Sequence, residues 1–254
     1  MNEISISRDK LIKIAKAERI LVLTRAGISK ESGIPTFRGK EGLWKKFSPQ
    51  ELASFKGFYE NPALVSEWYQ HRREIIEEVA PNRGHETLVE MEKLYSEFTI
   101  VTQNVDNLHQ RAGSQNVIEI HGNIMRNYCI DCNKQFSSEE FKKIYSADNE
   151  HIPRCDRCNG LIRPDVVWFG EALPEKEINL SFKKARNCDL CFSIGTSAQV
   201  RPAADLPIIA SQNGAFIVEL NPDRTPLTKV ANLSLRGKAG ELLPELLDLI
   251  KKEK

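Results

Sequence analysis

Six short apolar runs limit what this chain can fold into: 20–23 (ILVL), 98–102 (FTIVT), 117–120 (VIEI), 166–169 (VVWF), 190–194 (LCFSI) and 215–220 (AFIVEL). Each has the length of a strand, and the run at 20–23, bounded by charge upstream, suits a strand buried on both faces of a parallel sheet. Helical patterns fall between them, at 9–18, 61–79, 85–95, 203–212 and 240–250. Strands alternating with helices imply an α/β fold with a mostly parallel sheet and right-handed crossovers. Such sheets bind ligands just past the carboxyl ends of their strands, so the residues that follow each run carry the functional question.

After the first run come Thr24, Arg25, Ala26, Gly27, Ile28 and Ser29. The small residues let backbone amides approach an anion such as a pyrophosphate. An ordinary strand and turn is an equally open reading. The second run enters Gln103, Asn104, Val105 and Asp106, and the third ends at His121 and Gly122. A histidine at a strand end is open to both a structural and a catalytic role. Residues 39–59 are punctuated by glycine and proline yet carry Leu43, Trp44, Phe47, Phe55, Phe58 and Tyr59. Such a segment packs on a ligand or on the core.

Asn61 and Pro62 cap and open the helix at 61–79, and Pro81 follows its end. Val65, Trp68, Ile75, Ile76 and Val79 form its apolar stripe, and Arg72 falls on that stripe one turn after Tyr69. A charge there needs an anionic partner, an escape route for its head group, or a neighbour such as Glu77 or Glu78.

Cys129-x-x-Cys132 and Cys155-x-x-Cys158, separated by 22 residues, have the spacing of two knuckles that give four thiolates to one structural zinc. Cys188 and Cys191 repeat the spacing but enter an apolar run, where cysteine is a small core residue. With 254 residues, the chain accommodates one large domain carrying a smaller insertion. Its 36 basic and 35 acidic residues argue against a dedicated nucleic-acid binder. Neither a signal peptide nor a membrane-spanning run is recognisable, so a cytoplasmic protein is expected.

Taken in order, AGISKESGIPTFR at 26–38, Leu43-Trp44, QNVD at 103–106, IHGN at 120–123, the two cysteine pairs, GTS at 195–197, NPD at 221–223 and Gly237-Lys238-Ala239 resemble the sirtuin family of NAD-dependent protein-lysine deacylases over nearly the whole chain. The resemblance implies a single catalytic domain with a Rossmann-like part (about 1–38, 98–125 and 160–254) and a smaller part made of a helical module (about 39–97) and a zinc module (about 126–159). It implies an NAD site formed by Arg25, Ala26, Gly27, Ile28, Ser29, Pro35, Thr36, Phe37, Arg38, Trp44, Gln103, Asn104, Val105 and Asp106, with Gly195, Thr196, Ser197, Asn221, Pro222, Asp223 and Ala239 at the adenosine half. His121 matches the general base, with Asn104 and Asp106 orienting ribose and carboxamide. Cys129, Cys132, Cys155 and Cys158 match the Zn2+ ligands. Val167, Trp168, Phe169 and Gly170 match the segment that receives an acylated lysine of a protein substrate. Tyr69 and Arg72 resemble the Tyr-x-x-Arg signature of the branch that prefers succinyl and malonyl over acetyl groups, because a guanidinium binds a carboxylate bidentately. The products would be nicotinamide and O-acyl-ADP-ribose. ADP-ribosyl transfer, NAD hydrolysis and a catalytically weakened binding module are the competing readings. The last arises because Arg25 stands where the family usually has glycine, and there it either crowds the turn or offers a cation to the pyrophosphate.

Overall fold

The computed structural model describes residues 4–36, 48–147 and 151–254. Phe37, Arg38 and Trp44 of the expected cofactor site lie outside them. In chain order the elements are α1 (Arg8–Lys16), β1 (Arg19–Thr24), α2 (Ala26–Ser29), α3 (Pro49–Leu52), α4 (Phe55–Glu60), α5 (Pro62–Glu78), α6 (Arg83–Leu94), β2 (Glu97–Thr102), α7 (Leu108–Ala112), β3 (Val117–Glu119), β4 (Gly122–Cys129), β5 (Gln135–Phe136), α8 (Ser138–Ala147), β6 (Ile162–Val166), α9 (Glu175–Asn187), β7 (Leu190–Ile194), α10 (Leu206–Gln212), β8 (Phe216–Leu220), β9 (Leu233–Leu235) and α11 (Ala239–Glu253).

The larger sheet has six strands in the order β3-β2-β1-β7-β8-β9, all paired in parallel. Every residue of β1 after Arg19 is buried, because its two faces meet different layers of helices. Val22 joins Ile100, Phe192 and Val218 against α1, α6 and α11. Leu21 and Leu23 join Val101, Cys191 and Ile217 against α9 and α10. The strand's period of two thus divides an unbroken apolar run between two cores. Cys188 and Cys191 are buried in the second core, as their surroundings in the sequence imply.

The run at 166–169 does not extend this sheet. The strand there is β6, which ends at Val166 and lies in a separate three-stranded sheet, β5-β4-β6, antiparallel to β4. Apolarity at 167–169 has another cause: Trp168 is buried against Phe58, Tyr69 and Ile124 in a third cluster beneath α5. The buried stripe of α5 is also offset from the expected one. Trp68 and Ile75 are half-buried, while Tyr69, Arg72, Arg73 and Ile76 are buried. Arg73 is tolerated inside because its guanidinium donates to Ile124 O at 2.8 Å and to Asn127 Oδ1, and stacks on Phe141.

The strand order reverses between β1 and β7, and there the turns that follow the two strands touch. Gly27 N donates to Gly195 O at 3.0 Å. A Cβ on Gly27 would lie 2.5 Å from Gly195 Cα, and one on Gly195 would lie 2.6 Å from Ile28 N. We therefore expect Gly27→Ala to destabilise the fold by about 1–3 kcal/mol, the usual cost of overpacking. Urea unfolding measures this, and an unchanged midpoint would refute the contact as a constraint.

Candidate functional site

A cavity of about 250 Å³ opens at the carboxyl ends of β1, β2 and β3. Arg25, Ala26, Gln103, Asn104, Val105 and His121 line its sheet side. Tyr69, Arg72, Val167, Trp168, Phe169 and Gly170 line the side toward α5 and the segment after β6. Residues expected to serve cofactor, base and acyl group therefore share one space.

Beneath it lies a buried polar network. Ser29 Oγ donates to Asp106 Oδ2 at 2.7 Å and accepts from Asn104 Nδ2 at 3.0 Å. Asp106 Oδ1 accepts from Leu108 N at 3.1 Å. Burial raises the Asp106 pKa, opposed by Ser29, Leu108 and the Arg72 charge. His85 Nδ1 faces the Asn82 N–H at 3.3 Å and so acts as the acceptor. Its proton is therefore on Nε2, 3.5 Å from Ser29 Oγ. On the other flank, Thr24 Oγ1 donates to Thr102 Oγ1 and lies 2.9 Å from His109 Nε2, and Thr102 Oγ1 accepts from Asn104 N at 3.0 Å. Burial holds both imidazoles neutral, lowering His85 to about 4 and His109 well below its ordinary value. The sequence places His85 at the start of the helical pattern at 85–95 but gives no site role to it or to His109, and no local pattern signals that the two meet Ser29 and Thr24.

His121 follows β3 and precedes β4. Its Nδ1 lies 3.1 Å from Gln103 O, an acceptor only, so Nδ1 carries the proton and Nε2 is the basic nitrogen. Burial lowers its pKa; the Gln103 carbonyl opposes this and the Arg25 charge adds to it. Its carbonyl accepts from Val167 N at 3.0 Å, registering the base against the cavity's opposite wall. Gly122 makes that approach possible. It has φ +76°, and a Cβ there would lie 2.1 Å from Asp165 O.

On the α5 side, Trp168 Nε1 donates to Tyr69 Oη at 2.9 Å. Burial raises the Tyr69 pKa to about 12. Arg72 lies 5.0 Å from the Trp68 ring, and burial lowers its pKa to about 10, against the favourable charges of Tyr69 and Asp106. It remains a cation at neutral pH. Of the acidic neighbours considered from the sequence, Glu77 binds Lys142 at 2.5 Å. The segment after β6 is held by Arg163, which sequence reasoning missed. Its guanidinium lies 3.4 Å from the Trp168 ring and donates to both Glu171 oxygens at 2.7 and 2.8 Å, while Glu171 accepts from Trp168 N at 2.5 Å.

The remaining predicted positions lie around the sheet's carboxyl edge, outside the cavity lining. Gly27, Ile28 and Ser29 form the turn into α2, with Pro35 and Thr36 beyond it; Gly195, Thr196 and Ser197 follow β7, and Asn221, Pro222 and Asp223 follow β8. Ala239 opens α11, whose Gly240 N donates to Glu31 Oε2 at 2.8 Å.

The four sulfurs of Cys129, Cys132, Cys155 and Cys158 lie within 4.8 Å of one another. Tetrahedral zinc at Zn–S of about 2.3 Å would set sulfurs about 3.8 Å apart. The Cys129–Cys158 and Cys132–Cys155 pairs stand at 3.4 and 3.7 Å, so the thiols fit Zn2+. Each knuckle closes through a left-handed asparagine: Asn133 N and Asn159 N donate to the carbonyls of Cys129 and Cys155. None of the four lines the cavity, which agrees with a closed structural site.

Two outcomes follow from these arrangements. Elemental analysis of the purified protein is expected to give about one zinc per chain, and Cys129→Ser should lower both zinc content and thermal midpoint; full stability without zinc would overturn the structural role. His85 is neutral when folded and takes a proton near pH 6.5 when unfolded. Its contribution is therefore whole above pH 6.5 and is lost as pH falls toward about 4, a loss of roughly 3 kcal/mol across that window. His85→Gln should flatten the acid limb of stability against pH, and an unaltered slope would contradict the buried neutral assignment.

With this geometry in hand, comparison with known proteins is direct. The Sir2 family model matches residues 25–202. An NAD-dependent protein deacylase of Aquifex aeolicus is 46% identical over 235 residues, covering 92% of this chain and 96% of the relative. A mutant Sir2 homologue complexed with ADP-ribose superposes with a TM-score of 0.92 at 44% identity, covering 97% of each chain. A Sir2–p53 peptide–NAD+ structure gives 0.88 at 33% identity, covering 96% of this chain and 98% of that one. The overall fold is thus that of these solved structures, and this chain is a member of the Sir2 family.

Proposed function

We propose that this chain is an NAD-dependent protein-lysine deacylase that removes succinyl and malonyl groups as well as acetyl. The observation that carries this reading is the single cavity shared by His121, Gln103 and Asn104 on one side and by Tyr69, Arg72 and Trp168 on the other. Relatives named as NAD-dependent protein deacylases support the reaction class, and the p53 peptide bound by a relative supports a lysine carried on a protein.

NAD, when bound, would supply a ribose carbon made electrophilic toward the acyl oxygen by loss of nicotinamide, and with one water consumed the products would be nicotinamide, O-acyl-ADP-ribose and the free lysine. Gln103, Asn104, Val105 and Asp106 would orient the reacting end of the dinucleotide, and Ser29 holds Asn104 and Asp106 in one arrangement for that purpose. His121 Nε2, with Nδ1 committed to the Gln103 carbonyl, would take the proton of a ribose hydroxyl. Arg72 would pair with a carboxylate at the end of the acyl chain. Tyr69, already an acceptor for the Trp168 indole, would donate its own proton to the same carboxylate. An acetyl group would forgo these two contacts and still reach His121.

Mass-spectrometric assays with succinyl-, malonyl- and acetyl-lysine peptides plus NAD test the reading. Arg72→Met is expected to lower kcat/KM for succinyl-lysine at least tenfold, the scale of a lost charge-assisted bond, with acetyl-lysine within a few-fold of wild type. His121→Ala should abolish all three. Equal loss on all acyl groups in Arg72→Met would sink the carboxylate assignment, and NAD cleavage independent of any acyl peptide would sink the deacylase.

A further inference from the structure

Arg25 follows β1 at the position where the sheet's strand order reverses. Open α/β sheets of this order hold the diphosphate of a dinucleotide at that place. The Arg25 backbone is extended, at φ −146° and ψ −174°, which any residue adopts, so the side chain strains nothing. The close approach of the two crossing turns is made by Gly27 and Gly195, and the Arg25 side chain stands in the cavity wall, with Nη1 3.5 Å from Ser197 Oγ.

Charge points the same way. Arg25, Arg72 and Arg201 line the cavity, and among its described lining residues Glu171 is the one carboxylate, already held by both guanidinium nitrogens of Arg163. Arg72 lies beside Tyr69, and Arg201 is largely exposed beside Asp205. Arg25 is a cation at the turn after β1 that reaches Ser197 in the turn after β7. We infer that Arg25, together with the Ser197 hydroxyl, binds and positions the diphosphate of the dinucleotide. A planar guanidinium reads two phosphate oxygens at once, a geometry that an ammonium lacks. This inference rests on the NAD reading above.

Calorimetric titration of ADP-ribose into wild type, Arg25→Lys and Arg25→Gln, at low and high salt, tests it, with adenosine as the ligand that lacks a diphosphate. Arg25→Gln is expected to bind ADP-ribose at least tenfold more weakly and with a shallower salt dependence. Arg25→Lys should fall between, and adenosine affinity should stay within about twofold of wild type, which a merely structural loss would not give. In turnover, KM for NAD should rise more than kcat falls. ADP-ribose bound by Arg25→Gln as tightly as by wild type, or ADP-ribose and adenosine weakened by the same factor, overturns the assignment of Arg25 alone. Wild type that fails to bind ADP-ribose overturns the NAD reading with it.

Discussion

The backbone contact between Gly27 and Gly195 is the constraint from which the site is measured. Two parallel strands side by side run out at Thr24 and Ile194, and the turns beyond them must pass each other within hydrogen-bonding distance. Neither turn has room for a Cβ. The absence of two side chains lets Arg25, Ser29 and Ser197 stand around one crevice. A wider crossing would separate the Ser29 hydroxyl from Asn104 and Asp106, which it now joins across 75 and 77 residues of sequence.

The second wall depends on β4. The strand begins at Gly122, directly after His121, and ends at Cys129, a thiol of the zinc-fitting cluster. Beside it β6 runs antiparallel, with Gly122 opposite Val166, and Val167 then donates to the His121 carbonyl. The metal module therefore bears on the cavity through strand register and not through contact. Arg163 completes the arrangement. A buried guanidinium is costly unless paired and hydrogen-bonded, and the two terminal nitrogens of this one donate to Glu171 and the Val166 carbonyl while the group covers the Trp168 ring. Trp168 in turn orients Tyr69. The wall that carries Tyr69 is thus supported from behind by Arg163, which does not line the cavity, acting through Trp168 and Glu171, which do.

Much of this was legible in the residues. The run at 20–23 reads as a doubly buried strand and is one; Asn61 reads as a cap and accepts from Leu64 N. Two misreadings concern which side chains are buried, and where. The run at 166–169 resembles another strand of the main sheet, but it combines the end of β6, a Trp168 buried beneath α5 and an exposed Phe169. On α5 the expected stripe holds at Val65, Arg72 and Ile76, whereas Arg73, which apolar periodicity does not mark as a core residue, is also fully buried and donates to Ile124 O and Asn127 Oδ1 of β4. Helix α9 escaped notice: its fully buried positions are small residues, Ser181 and Ala185, in a segment otherwise rich in charge.

By itself the sequence determined what is local: the two-residue period that makes strands, the caps and prolines that bound helices, the paired spacing that brings two thiols onto one knuckle, and the glycines that leave space at a turn. These are set by backbone geometry within a few residues and need no partner. Only the tertiary structure decided which distant groups meet. His85 lies 56 residues from Ser29, and Trp168 lies 99 from Tyr69. The protonated nitrogens of His85 and His121, the burial of Arg72 and the extended backbone that accommodates Arg25 all follow from such meetings. Charge state and hydrogen-bond direction belong to an environment, and an environment exists only once the chain has closed around it.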